Sequence, residues 1–133
     1  MTGRRYDWTD PREWLNRARS SLRHAKAADE SVYLEDLCYD AQQAAEKAIK
    51  GVLLHKRIPF PYIHDLDRLL QLVPNTGEAL PEAVSQAGDL TRYAAVRYPR
   101  VFSQVTEQEY QQALSVAEEV VLWAERIILG KGP

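Results

Sequence analysis

The segment from Val32 to Arg57 contains no proline and repeats its apolar residues with the period of an α-helix. Leu34, Leu37, Ala41, Ala44, Ala45, Ala48, Val52 and Leu53 fall on one stripe. Half of these positions are alanine, so another helix backbone can approach closely along that face. The opposite stripe reads Asp36, Asp40, Gln43, Lys47 and Lys50 and predicts a face turned to water or to a polar cleft. A long helix of this kind directs the chain toward a helical bundle.

Prolines and capping residues divide the remainder. Asp10 is a good N-cap, Pro11 suits the first helical position, and Glu13 completes a capping-box pattern. A first helix therefore starts near Pro11, with Trp14, Leu15, Ala18, Leu22 and Ala25 at helical spacing, until "AADES" breaks it. Pro59 and Pro61 end the long helix and impose extended geometry on "IPFPYI". A short helix follows from about Asp65 to Val73, and "PNTGEAL" reads as a loop. A fourth helix is expected from Pro81 to about Ala95, stopped by Pro99. Thr106 and Glu109 form a capping box for a fifth, from Glu107 to about Leu129. That helix has Tyr110, Ala113, Leu114, Ala117, Val120, Val121, Ala124 and Ile128 on one face. Val116, Leu122, Trp123, Ile127 and Leu129 lie outside it, which implies either wider burial within the monomer or a subunit interface. No segment alternates with period two for long enough to be a strand. The expected fold is all-α, an antiparallel up-and-down bundle of four main helices plus one short helix. Residues 1–133 read as a single domain, with 1–9 as a flexible or loosely packed lead.

Composition narrows the class. The chain has 133 residues, 45% hydrophobic and 27% charged, which fits one globular domain. A net charge of −2 argues against a dedicated duplex-DNA binder, whose affinity rests on phosphate neutralisation. The charge is uneven: residues 1–26 hold seven Lys/Arg against three Asp/Glu, and residues 101–133 hold two against five. An uneven surface can offer a local anion site. Cys38 is the single cysteine, so no intramolecular disulfide is possible, and it reads as a core filler. "MTGRRYDW" has no apolar run of a signal peptide, and no stretch reaches the length of a membrane span, so a cytoplasmic protein is expected. His24, His55 and His64 are scattered over three elements, so no metal site is expected. No glycine-rich phosphate loop, dinucleotide fingerprint or nucleophile elbow is present, and no cofactor is expected.

Three groups could carry chemistry. Arg92, Arg97 and Tyr98 stand at the end of the fourth helix, where guanidinium groups can clamp phosphate and tyrosine can stack on a base. The plainer reading is that these cations interact with helix-end carbonyls. His64 and Asp65 precede the third helix. Asp65 fits an N-cap, His64 can bond back onto the second helix, and the functional alternative for His64 is a proton carrier. Lys47 and Lys50 lie one helical step apart on the polar stripe and can face a phosphate or simply water. Glu46 and Lys50 form an i, i+4 pair of the kind worth about 0.2–0.5 kcal/mol on an exposed helix.

"WLNRARSSL", "YDAQQAAEKAIKGVLLHKRI", "HDL", "TRYAAVRYP" and "AEEVVLWAE", in that order, resemble the HEPN family from about Trp14 to Glu125. The resemblance implies an α-helical bundle that usually dimerises. Many prokaryotic members are paired with a minimal nucleotidyltransferase in a toxin–antitoxin module. Toxic members are metal-independent RNases whose site carries an Arg, four to six residues and then a His, on the helix before the last. Here Arg92 is followed, after four residues, by Arg97. Arginine stays protonated and cannot replace imidazole as a base. Arg57 and His64 have the spacing but sit on the wrong element. The expected function is therefore a nucleotide- or RNA-binding domain, homodimeric, paired with a minimal nucleotidyltransferase and without strong RNase activity. Lys47, Lys50, Arg92, Arg97 and Tyr98 would hold the phosphate. The alternatives are a metal-independent ribonuclease toxin using Arg92 or Arg57 with His64, and a scaffolding homodimer without ligand.

Overall fold

The computed structural model of the protein describes residues 6–77, 79–95 and 104–130. Helix α1 spans Pro11–Ala25, α2 Leu34–His55, α3 Leu66–Leu70, α4 Glu82–Ser85 and α5 Glu107–Leu129. Two 3-10 helices, Val73–Thr76 and Gln86–Ala95, complete the set, and no strand occurs among the described residues. The first of these occupies part of the expected "PNTGEAL" loop. The fourth main helix is a single α-turn that continues as ten residues of 3-10 helix.

Side-chain caps set the starts of α1, α3 and α5. The Asp10 carboxylate accepts from the Arg12 N–H at 2.9 Å, with Pro11 at the first helical position. Glu13 turns instead to Arg17, at 2.8 Å, so the reciprocal half of the expected box is not made. Asp65 accepts from the N–H groups of Asp67 and Arg68. Thr106 and Glu109 close a full capping box on α5. At the end of α2 the Arg57 N–H reaches the Leu54 carbonyl at 3.0 Å and the Ile58 N–H the Leu53 carbonyl at 2.9 Å. Arg57 thereby adopts φ 60°, the left-handed conformation in which glycine is usual.

Cross-helix contacts define the topology. Lys47 bonds Ser21, and Gly51 faces Trp14, so α1 and α2 run antiparallel. Arg19 pairs with Glu125 at 2.9 Å and Lys26 with Glu118 at 3.7 Å, so α1 and α5 also run antiparallel. Helices α2 and α5 are therefore parallel, and the 3-10 helix runs back between them. A side chain at Gly51 would crowd Ile128, Trp14 and the Pro11 carbonyl, so glycine is what lets the start of α1 and the end of α5 meet α2.

The α2 helix sits at the centre of these elements. Its alanines 41, 44, 45 and 48 are fully buried, as the small-residue stripe implies. Its polar stripe departs from expectation at Lys50, which is buried, while Asp36 is exposed and Asp40, Gln43 and Lys47 are half-buried. Glu46 and Gln42 are buried beside Lys50, because α3 and the 3-10 helix close over the face opposite α1. Val116 and Trp123 of α5, read as possible surplus apolar surface, belong to the monomer core, and Trp123 is only 4% exposed. Leu122, at 46%, is the large apolar residue of α5 that stays outside. Residues 6–9 are exposed and lie against α1. Tyr6 and Trp8 fold over the Arg17 guanidinium at 4.3 and 4.7 Å, and the Trp8 carbonyl accepts from the Trp14 indole at 2.8 Å. Among the described residues no helix is long and apolar enough to cross a membrane.

Candidate functional site

A 3-10 helix has three residues per turn, so its faces repeat at every third position. Val84, Ala87, Leu90 and Tyr93 share this spacing and are all buried. Gln86, Asp89 and Arg92 occupy the next row and line an open cleft of about 520 Å³ against the first turns of α5. Gly88 and Thr91 form the third row and meet α3: the Thr91 hydroxyl accepts from the Leu66 N–H at 3.0 Å, and Gly88 leaves the room that the Asp67 carboxylate occupies. The 3-10 geometry thus presents Arg92 to the cleft while anchoring Tyr93 in the core.

Arg92 makes three contacts. Its guanidinium donates to the Tyr93 hydroxyl at 2.6 Å and to Glu109 Oε2 at 2.9 Å, and it lies over the Tyr93 ring at 4.7 Å. The other Glu109 oxygen accepts from the Thr106 N–H at 2.9 Å, so one carboxylate both caps α5 and holds the arginine. The hydrogen bonds with Thr106, ahead of those with Arg92, keep that carboxyl below its ordinary range. Burial raises the Tyr93 phenol against the pull of Arg92. Cys38 lies beside this group, and burial pushes its thiol up to about 12, although Tyr93 and Arg92 act in the opposite direction. The thiol is protonated and buried, as a core filler is.

The cleft carries Asp89 and Glu109 alongside Arg92, so its described walls do not attract a polyanion through net charge. It can hold a phosphate oxygen only at the guanidinium, in exchange for Glu109. That exchange is open, because both side chains of the pair are partly exposed, 54% for Arg92 and 39% for Glu109.

A second polar group forms around Glu46. Gln42 donates to Glu46 Oε1 at 2.8 Å, Lys50 to Oε2 at 2.9 Å, and His64 Nδ1 bonds Oε1 at 2.9 Å. Burial alone would raise the Glu46 carboxyl; the bonds from Lys50, His64 and Gln42, with the Lys50 charge, outweigh it and hold the carboxyl below its ordinary value. His64 does bond back onto α2, and Asp65 is the N-cap expected of it.

The expected site residues that the structure describes are therefore not gathered in one place. Cys38 marks the level of Tyr93 and Arg92 on α2. Glu46, which holds His64, is eight residues further on, about 12 Å along the axis. His64 and Arg92 are fixed by acids of different helices and form no acid–base pair. Lys50 is committed to Glu46. Lys47 donates to the Ser21 hydroxyl at 2.9 Å, half-buried, where burial and then the Arg17 charge lower its pKa. Neither lysine joins Arg92. Arg97 and Tyr98 lie outside the described residues, and Arg57 stands exposed at the end of α2. Sequence reasoning overlooks Glu46 and Glu109 as anchors. The signals are present: Gln42, Glu46 and Lys50 follow i, i+4 spacing, and Glu109 is a capping residue by sequence.

The HEPN domain model matches residues 11–127. Two solved structures share the fold. TT1696 from Thermus thermophilus has 31% sequence identity and a TM-score of 0.75, with 87% of this chain and 96% of that one covered. ST0689, an archaeal HEPN homologue, has 27% identity and a TM-score of 0.72, with 90% and 98% covered. No curated protein matches the sequence.

Proposed function

This chain belongs to the HEPN family, and we propose that it is a nucleotide- or RNA-binding member that does not cut RNA. It would act as a homodimer, as one half of a toxin–antitoxin-like module with a minimal nucleotidyltransferase. The observation that supports the binding reading is the placement of Arg92 on the edge of an open cleft, backed by a buried Tyr93 and held by an exchangeable carboxylate. A phosphate oxygen entering the cleft would take the place of Glu109 Oε2. The planar guanidinium offers paired N–H donors for it, and Glu109 would keep its second oxygen on the helix cap.

Two features support the absence of catalysis. After four intervening residues, Arg92 is followed by Arg97 where an RNase of this family has histidine. The nearest alternative base, His64, is tied to Glu46 on another face of the bundle. General base catalysis needs a proton acceptor within hydrogen-bond reach of the attacking hydroxyl, and the described cleft holds no imidazole.

The test titrates a fluorescent nucleotide and a short labelled RNA against wild type and Arg92→Gln, at two salt concentrations. A charge-assisted contact contributes about 1.5–3 kcal/mol, so the variant should bind at least tenfold more weakly. Its thermal stability should change little, because the Arg92–Glu109 pair is exposed. Equal affinities would remove Arg92 from the site. Rapid RNA cleavage in EDTA, lost on His64→Ala, would overturn the non-catalytic reading. Co-purification with a minimal nucleotidyltransferase tests the module.

A further inference from the structure

At the end of the bundle where α1 begins and α2 ends lies a cavity of about 870 Å³, larger than the Arg92 cleft. Four of its nine lining residues are aromatic: Trp8, Trp14, Phe60 and Tyr62. Trp14 stands edge-on to Trp8, with ring centres 5.1 Å apart, and to Phe60, at 6.1 Å. Tyr62 completes the lining and is 94% exposed, the most exposed large apolar side chain described. Trp8 is 48% exposed.

Tyr62 is held in that position. The Ile63 N–H bonds the Pro61 carbonyl at 3.0 Å, which puts Tyr62 at the apex of a tight turn. Two prolines stiffen the segment. The Ile58 N–H ties one end to α2, and the bond from His64 to Glu46 ties the other. An aromatic residue on a doubly anchored support is a preorganised contact, with little backbone entropy left to lose on binding.

Arg57 stands on the rim. Its left-handed backbone costs any residue with a Cβ, and glycine would close the helix with less strain. No ion pair engages Arg57 among the described residues, and it is exposed. Folding alone does not favour arginine here.

A purely apolar ligand would leave the guanidinium unused. A simple anion would leave the rings unused. We propose that this cavity is a second binding site, which takes a nucleobase against Trp8 and Tyr62 and its phosphate at Arg57. The inference shares its ligand class with the reading above but differs in location, so separate variants test the two. Two donors near the rings are already engaged: the Trp14 indole with the Trp8 carbonyl, and the Thr9 hydroxyl with Asp7. Recognition is by stacking and charge, and it tolerates any base, purines above pyrimidines through their larger faces.

The test uses AMP, a short single-stranded RNA and a duplex of the same sequence, with tryptophan fluorescence as the readout. Trp8 and Trp14 line the cavity while Trp123 is buried elsewhere, so stacking should quench part of the emission. Tyr62→Ala should weaken binding about tenfold. Arg57→Gly should weaken it as well, while raising the melting temperature, a pair of opposite effects that a purely structural role does not produce. Arg92→Gln should leave the quench intact. AMP and single strand both quenching assigns a nucleotide pocket; single strand alone assigns an RNA groove; the duplex should do neither. The proposal is overturned by no quench with AMP or single strand, by equal affinities of wild type and Tyr62→Ala, or by Tyr62→Ala changing the mass in light scattering without any ligand effect. The last result would make the patch an interface between copies.

Discussion

Glu46 is the carboxylate on which the buried polar side chains of α2 depend. It is 5% exposed, as is Lys50. A charged pair withdrawn from water this far is stable only while both members and their hydrogen bonds remain. Glu46→Gln leaves the Lys50 ammonium without its counter-charge and should cost about 3–5 kcal/mol in urea denaturation. Replacing both residues with apolar ones of similar volume, Glu46→Leu with Lys50→Met, should cost much less. The pH dependence follows from the same group. Its folded pKa lies below the ordinary 4.5, so its contribution is complete above pH 4.5 and is lost as the pH falls through the lowered folded value. Wild type should lose stability on acidification below pH 4.5 more steeply than Glu46→Gln. An identical slope in both proteins would mean that other carboxylates control acid unfolding.

At the scale of elements, helix ends were legible because capping is local. Asp10, Asp65 and the Thr106–Glu109 box each act within a few residues, and α5 starts and stops where the sequence indicated. What local signals could not supply was the 3-10 geometry and the burial of Lys50 with Glu46 and Gln42 on α2. Val84, Ala87, Leu90 and Tyr93 are three apart, a spacing that also fits part of an α-helical stripe. Burial of Lys50 depends on α3 and the 3-10 helix, elements whose placement over α2 involves distant contacts. The candidate site was half legible for the same reason: Arg92 and the capping residue Glu109 were each identifiable, their pairing was not. That partnership gives an element-level prediction. Thr106→Ala should destabilise the protein by about 1 kcal/mol through loss of the N-cap. It should also loosen Glu109 and so alter Arg92, which a shift in nucleotide affinity in the same variant would report.

For the molecule as a whole, the uneven charge along the sequence is largely an internal matter. Basic α1 lies beside acidic α5, and Arg19–Glu125 and Lys26–Glu118 join them across the bundle. Assembly is best probed at Leu122, not Trp123. Trp123→Glu buries a charge in the monomer core and should unfold the protein. Leu122→Glu should leave the fold intact, and it should lower the mass seen in light scattering if this face joins two copies of the chain. A wild-type mass near 15.2 kDa at micromolar concentration would count against a homodimer. The order in which the helices are made has its own consequence. The Tyr110 hydroxyl bonds the Ala25 carbonyl across 85 positions, and Arg19 meets Glu125 across 106. Helices α1 and α2 are neighbours in sequence and can pair early, whereas closing α5 onto them costs the entropy of a very long loop. As the ribosome delivers the chain, the hairpin therefore waits with one apolar flank in water until α5 emerges, and that interval is when the nascent protein most needs a chaperone.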